Sequence, residues 1–175
     1  MRTRLFCITA GTFAGMLLCI IAWQMYRLAP LYSLAITFGT CFYHMAMRLA
    51  VGYLIHACKH NRFDYRKGWF QPLPFEAAFY QTIHIRAWKK KIPTFQPTFF
   101  DVRQQSLENI IMATCQAEVV HEVIVVLSFL PLLAAIPFGA FAVFLITSLA
   151  AAATDMIFVL LQRYNRPRLM RLMKK

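Results

Sequence analysis

The sequence predicts an all-α integral membrane protein: four transmembrane helices and a basic, aromatic-rich cytoplasmic loop that contains an amphipathic helix. Three observations lead there. Of the 175 residues, 59% are apolar and 15% charged, whereas a soluble domain has roughly half and a quarter. The charged residues leave long stretches empty instead of being spread evenly. The net charge of +12 is concentrated beside those stretches, where membrane proteins keep cytoplasmic lysine and arginine.

The first span is Leu5 to Tyr26, uncharged throughout. As a helix it measures about 33 Å, enough for a hydrocarbon core of roughly 30 Å. Basic Arg2 and Arg4 before it resemble a signal peptide, but the apolar run outlasts a signal h-region, so a retained helix is expected. Arg27 to Pro30 is a turn, with Pro30 suited to the first turn of the next helix.

The second span, 31–57, is interrupted by His44 and Arg48, which are four apart and so share a helix face. Gly52 continues that face and offers a close approach. Arg48 lies about nine residues, roughly 14 Å, from the end of the span, far for a side chain to reach the interface. A site is favoured over snorkelling, because charged groups inside a membrane rarely face lipid.

The stretch 58–105 is a cytoplasmic loop dense in lysine, arginine and aromatics. Pro74, then Phe75, Ala78, Phe79, Thr82 and Ile83 at helical spacing, predict an amphipathic helix to about Lys91, stopped before Pro93. Basic side chains beside Trp and Phe suit the headgroup region. RNA binding draws on the same residue types, but basic residues flanking membrane runs favour lipid, and no nucleic-acid partner is expected.

The third span covers about 106–133, with Ser106 as N-cap and Glu108 in the first turn. Glu118 and His121 share a face, and Glu122 follows Glu118 by one turn. Pro131 and Pro137 bracket an uncharged turn. The fourth span, 139–161, carries small residues (Ser148, Ala150 to Ala153) suited to close packing, and Asp155 towards its cytoplasmic end. A basic tail, 162–175, follows. Arg27 and Arg48 apart, every basic residue falls at the N-terminus, in the loop or in the tail. The positive-inside rule thus places both termini in the cytoplasm of a multi-pass cell-membrane protein. The whole chain, 1–175, reads as a single membrane domain. The five cysteines are odd in number and scattered, which argues against a disulfide framework.

His44, Arg48, Glu118, His121, Glu122 and Asp155 are ionisable groups within spans. Histidine beside a carboxylate supplies a general base with an orienting partner, and arginine can steady an oxyanion or a phosphate. Acyl transfer fits the set: His121 takes a proton from a hydroxyl, whose oxygen attacks a thioester or ester carbonyl. Two other readings stand beside it. The Glu–His and Arg–Asp pairs can simply hold helices together in a non-catalytic subunit that binds lipid or a partner enzyme. Glu118, His121 and His44 can also ligate a metal, although a second ExxH is lacking.

The closing stretch LLQRYNRPRLMRL resembles that of the glycosyl-4,4'-diaponeurosporenoate acyltransferase family. TCQAEVVH is similar to the family's A-E-x-x-H segment, IRAWKKKIP to its loop motif, and FYHMAMRLAVG to a segment of longer relatives; together they cover roughly Phe42 to Leu172. The resemblance implies transfer of a fatty acyl group to a sugar hydroxyl of a glycosylated carotenoid acid or lipid at the cytoplasmic membrane. It points to Glu118, His121, Gln162, Arg163, Asn165, Arg166, Pro167 and Arg168, and to Trp88 and Lys89 in the loop. On this reading His121 is the base and Glu118 its orienting partner. His44 and Arg48 belong to the catalytic set, Asp155 binds substrate, and the Arg163–Arg168 cluster, with Arg48, binds the phosphates of an acyl-CoA donor or stabilises charge. Pro167 is expected to end the helix and aim the arginines. The expected partners are membrane lipids, the acyl donor and a glycosylated acceptor. No cofactor is expected beyond acyl-CoA or another activated donor, which is a substrate.

Overall fold

A computed structural model describes Arg2–Lys89, Ile92, Pro97–Asp101 and Arg103–Lys174. Seven α-helices occur among these residues: α1 (Arg2–Tyr26), α2 (Ala29–Lys59), α3 (Glu76–Thr82), α4 (Ile85–Trp88), α5 (Leu107–Leu127), α6 (Ala135–Phe138) and α7 (Phe141–Met173). Three short 3-10 turns, Gly68–Phe70, Pro97–Phe100 and Leu130–Ala134, accompany them. The described residues contain no strand. Four segments are long and apolar enough to cross a membrane: Thr3–Tyr26, Ala29–Lys59, Leu107–Phe138 and Phe141–Met173. This is the architecture of a multi-pass membrane protein.

The chain divides into two compact units. The first is Met1–Gly52 with Ile124–Thr154; the second is Tyr53–Val123 with Asp155–Lys175.

In the first unit α1 exposes Phe6, Leu17, Leu18, Ile21 and Met25, as a lipid-facing helix must. It meets α2 through glycine: a Cβ at Gly15 would come within 3.0 Å of the Phe38 ring, and one at Gly39 within 3.3 Å of the Met16 sulfur. Without a hydrophobic drive between helices in lipid, such close backbone approach supplies the packing. At Gly52 no other helix makes such an approach among the described residues, since a Cβ there would meet nothing within 4 Å.

The third span ends differently from the single helix expected to about residue 133. α5 stops at Leu127, and the chain continues through the 3-10 turn and α6. Pro131 explains the stop: it has no N–H to offer the Leu127 carbonyl and its ring crowds that turn. The orphaned carbonyl instead accepts a hydrogen bond from the Tyr43 hydroxyl at 2.8 Å. An unsatisfied backbone group in lipid is costly, so Tyr43→Phe should destabilise the protein by about 1–2 kcal/mol. Unfolding in a mild detergent series would read this as a lower midpoint. An unchanged midpoint would mean the carbonyl has another donor.

In the second unit Ser106 caps α5 as expected, its hydroxyl accepting the Asn109 N–H at 3.2 Å. The loop does not form one amphipathic helix to Lys91. It breaks between α3 and α4 at His84, whose φ of 50° is left-handed. The break is held by side chains: Trp88 Nε1 donates to the Ile83 carbonyl at 2.8 Å, and His84 Nδ1 lies 2.9 Å from the Thr82 carbonyl oxygen. Tyr80 and Ile85, five residues apart, would point in different directions on one straight helix. The break lets both pack with Leu161 and Tyr164 of α7. Lys90, Lys91 and Pro93 lie outside the described residues.

The expected stop at Pro167 is also absent, for α7 continues through it to Met173. A proline inside a helix costs about 3 kcal/mol, and packing on both sides offsets it. Arg166 is fully buried, and Leu169 and Met170 pack against Tyr65, Phe70, Ile111 and Cys115. The residues 162–175 are therefore, as far as Met173, a continuation of the fourth helix and not a separate tail.

Candidate active site

The second unit holds two polar assemblies built on neighbouring turns of α5 and α7. The first pairs His121 with Asp155: the imidazole Nδ1 is 2.8 Å from Asp155 Oδ1. Asp155 is buried, while the His121 side chain keeps about a fifth of its surface open (22%). Its ring stacks on Phe158, centroids 4.7 Å apart and planes 12° from parallel. With Nδ1–H donated to the carboxylate, Nε2 is left as the proton acceptor, the arrangement a general base requires.

The second assembly is a buried, charge-balanced cluster of two glutamates and two arginines. Arg163 donates from Nε to Glu76 Oε1 at 2.7 Å, from Nη1 to Glu118 Oε1 at 2.7 Å and the Trp69 carbonyl at 2.9 Å, and from Nη2 to the Gln71 carbonyl at 3.0 Å. Arg166 donates to Thr114 Oγ1 at 3.0 Å, to the Phe70 carbonyl at 3.0 Å, to the Thr114 carbonyl at 3.2 Å and to Glu118 Oε2. The three carbonyls of Trp69, Phe70 and Gln71 thus tie the loop to α7. Tyr80 completes the cluster by donating to Glu76 Oε2 at 3.1 Å. Burial first, and the Glu76 carboxylate next, push the Tyr80 phenol above its ordinary pKa, so it stays a donor.

This geometry corrects two expectations. Glu118 does not orient His121: both its oxygens face the arginines, and the orienting carboxylate is Asp155, from another helix. Residues three apart share a face, but α5 presents Glu118 and His121 to different stretches of α7. Arg163 and Arg166 are not presented to a donor phosphate either, for every guanidinium nitrogen of both is occupied within the protein.

The remaining sequence-predicted residues are more dispersed. Lys89 Nζ donates to Asn165 Oδ1 at 3.1 Å and stands 5.0 Å from the Tyr164 ring. Arg168 lies over the same ring at 3.7 Å. Trp88 packs with the Tyr80–Tyr164 cluster. Gln162 is half-buried, with no side-chain hydrogen bond to the described residues. His44 and Arg48 belong to the first unit, where Arg48 donates to the His44 carbonyl at 3.2 Å and the Ala151 carbonyl at 3.3 Å. Among the described residues no three of His, Cys, Asp and Glu gather closely enough to hold a metal ion. Glu76 was missed by the sequence reading. Its signal was an acid in a strongly basic loop, two residues after the Pro74 that starts a helical pattern. Glu122, whose carboxylate accepts the Trp69 indole N–H at 3.1 Å, is a further tie between α5 and the loop.

The family model for glycosyl-4,4'-diaponeurosporenoate acyltransferase (CrtO) matches residues 66–175, which include both polar assemblies and more than half of the chain. The chain belongs to this acyltransferase family. It is therefore an acyltransferase, of a family named for a step of carotenoid biosynthesis. The match begins after FYHMAMRLAVG, so His44 and Arg48 lie outside it. No curated protein and no solved structure matches the chain.

Proposed function

We propose that the protein transfers a fatty acyl group from an activated donor, acyl-CoA or a related thioester, to a sugar hydroxyl of a glycosylated lipid or carotenoid acid. The observation that carries this reading is the His121–Asp155 pair, partly open to the outside, in the portion of the chain that the acyltransferase family model matches. In the proposed step His121 Nε2 accepts the proton of the sugar hydroxyl as its oxygen bonds to the acyl carbonyl carbon. The carbon–sulfur bond of the thioester then breaks, and the leaving thiolate takes the proton from the imidazolium. Asp155 fixes the tautomer and steadies the transient positive charge.

The two assemblies divide the work that the sequence left open between chemistry and helix cohesion. His121 and Asp155 serve the reaction, and Glu118 with Arg163 and Arg166 holds α5, α7 and the loop together around it. The positive-inside rule supports a cytoplasmic position for the loop and both termini, on the side where a soluble activated donor would arrive.

Mass spectrometry of membrane lipids from cells with and without the gene tests the reaction. An acylated glycoside present only in the former is expected and names the acceptor. Identical lipid profiles, with the protein present in the membrane, would overturn the proposal.

A further inference from the structure

Beside the buried cluster a groove of about 610 Å³ runs between the α3–α4 segment and the last turns of α7. Pro72, Leu73 and Ala77 contribute an apolar wall, and Arg86, Arg168 and Arg171 also line it. Two of these cations are already positioned by one buried residue. Tyr164, 8% exposed, accepts a hydrogen bond from Arg86 Nε at 3.2 Å on its hydroxyl and carries the Arg168 guanidinium 3.7 Å from its ring centroid. Arg171 follows Arg168 at i+3, on the same side of the helix.

Among the described residues none of Arg86, Arg168 and Arg171 has a carboxylate within ion-pair distance. The groove's own acid, Glu76, is bound by Arg163. Guanidinium groups gathered on one tyrosine repel one another, and the groove supplies no anion to offset this. Their fork geometry suits phosphate.

We propose that this groove binds the polyphosphate part of a nucleotide-borne acyl thioester, with Arg86, Arg168 and Arg171 on the phosphates and the apolar wall beside the start of the carrier arm. The inference rests on the acyl-transfer reading and moves donor recognition away from Arg163 and Arg166. Lipid headgroups offer the same phosphate chemistry, but a phosphodiester lipid carries one such charge, whereas three arginines lining one groove match several phosphates in one ligand.

The test is calorimetric titration of coenzyme A into the purified full-length protein in phosphatidylcholine nanodiscs. Binding should weaken by about tenfold or more in the Arg168→Gln/Arg171→Gln variant, and the KM for acyl-CoA should rise by a similar factor with kcat changed only a few-fold. Arg86→Gln, at an exposed position of the short α4, should weaken binding in the same direction and serves if the double variant does not fold. Unchanged coenzyme A affinity in the folded variants overturns the proposal. So does loss of binding when phosphatidylglycerol is added to the nanodiscs, which would make the groove a headgroup site. Coenzyme A binding is read without turnover, so a protein that binds it through these arginines yet transfers no acyl group would refute the reaction and leave the subsite standing.

Discussion

Arg166→Ala is expected to abolish accumulation of folded protein, while Arg168→Ala, two residues on, leaves it near normal. Arg166 is fully buried and shares Glu118 with Arg163. Its removal strands part of a buried carboxylate and leaves the Phe70 carbonyl and the Thr114 hydroxyl and carbonyl without their donor. Breaking a buried ion pair from one side costs about 3–5 kcal/mol, a large fraction of the roughly 5–15 kcal/mol by which a protein is stable. Arg166→Lys should recover little, because one ammonium cannot reach acceptors arranged for a planar fork. The measurement is the amount of monodisperse protein extracted in mild detergent. Normal yield of active Arg166→Ala protein would show that the cluster contributes nothing to the fold.

The second large effect is chemical. His121→Gln keeps much of the ring's volume and its stacking place beside Phe158 but has no basic nitrogen. Acyl transfer by the purified variant should fall by about 10²–10⁴-fold, the usual contribution of a positioned base, with the yield of folded protein close to that of the parent. A variant that folds and retains its rate would remove His121 from the mechanism. Comparison with Arg166→Ala separates the assemblies: one should lose turnover without losing protein, the other protein before turnover can be measured.

Helices were legible wherever a single local rule decided them. Long, predominantly apolar runs located the four spans, Ser106 announced the start of α5, and Pro30 sat in the first turn of α2. Rules failed where a distant partner intervened. Pro167 should stop a helix, yet buried Arg166 and the packed Leu169 and Met170 carry α7 past it. The loop's apolar spacing reads as one helix because nothing local says that Tyr80 and Ile85 must both meet α7. In the candidate site, the partner of His121 was misassigned for the same reason. Glu118 is its neighbour by spacing, but Asp155, far along the chain, is its neighbour in space. Spacing on one helix limits which groups share a face and says nothing about which face meets which helix.

The glutamate–arginine cluster also bears on how the protein is made. Glu76 and Glu118 leave the ribosome well before Arg163 and Arg166, so a chain still being synthesised carries both acids without their cations. A product truncated ahead of Arg163 would keep that defect permanently, with Glu118 in an apolar helix without its cations and a loop without its ties to α7. Unpaired acids in a membrane-spanning helix are costly, so the stability of the membrane-inserted chain depends on synthesis reaching the two arginines that pair them.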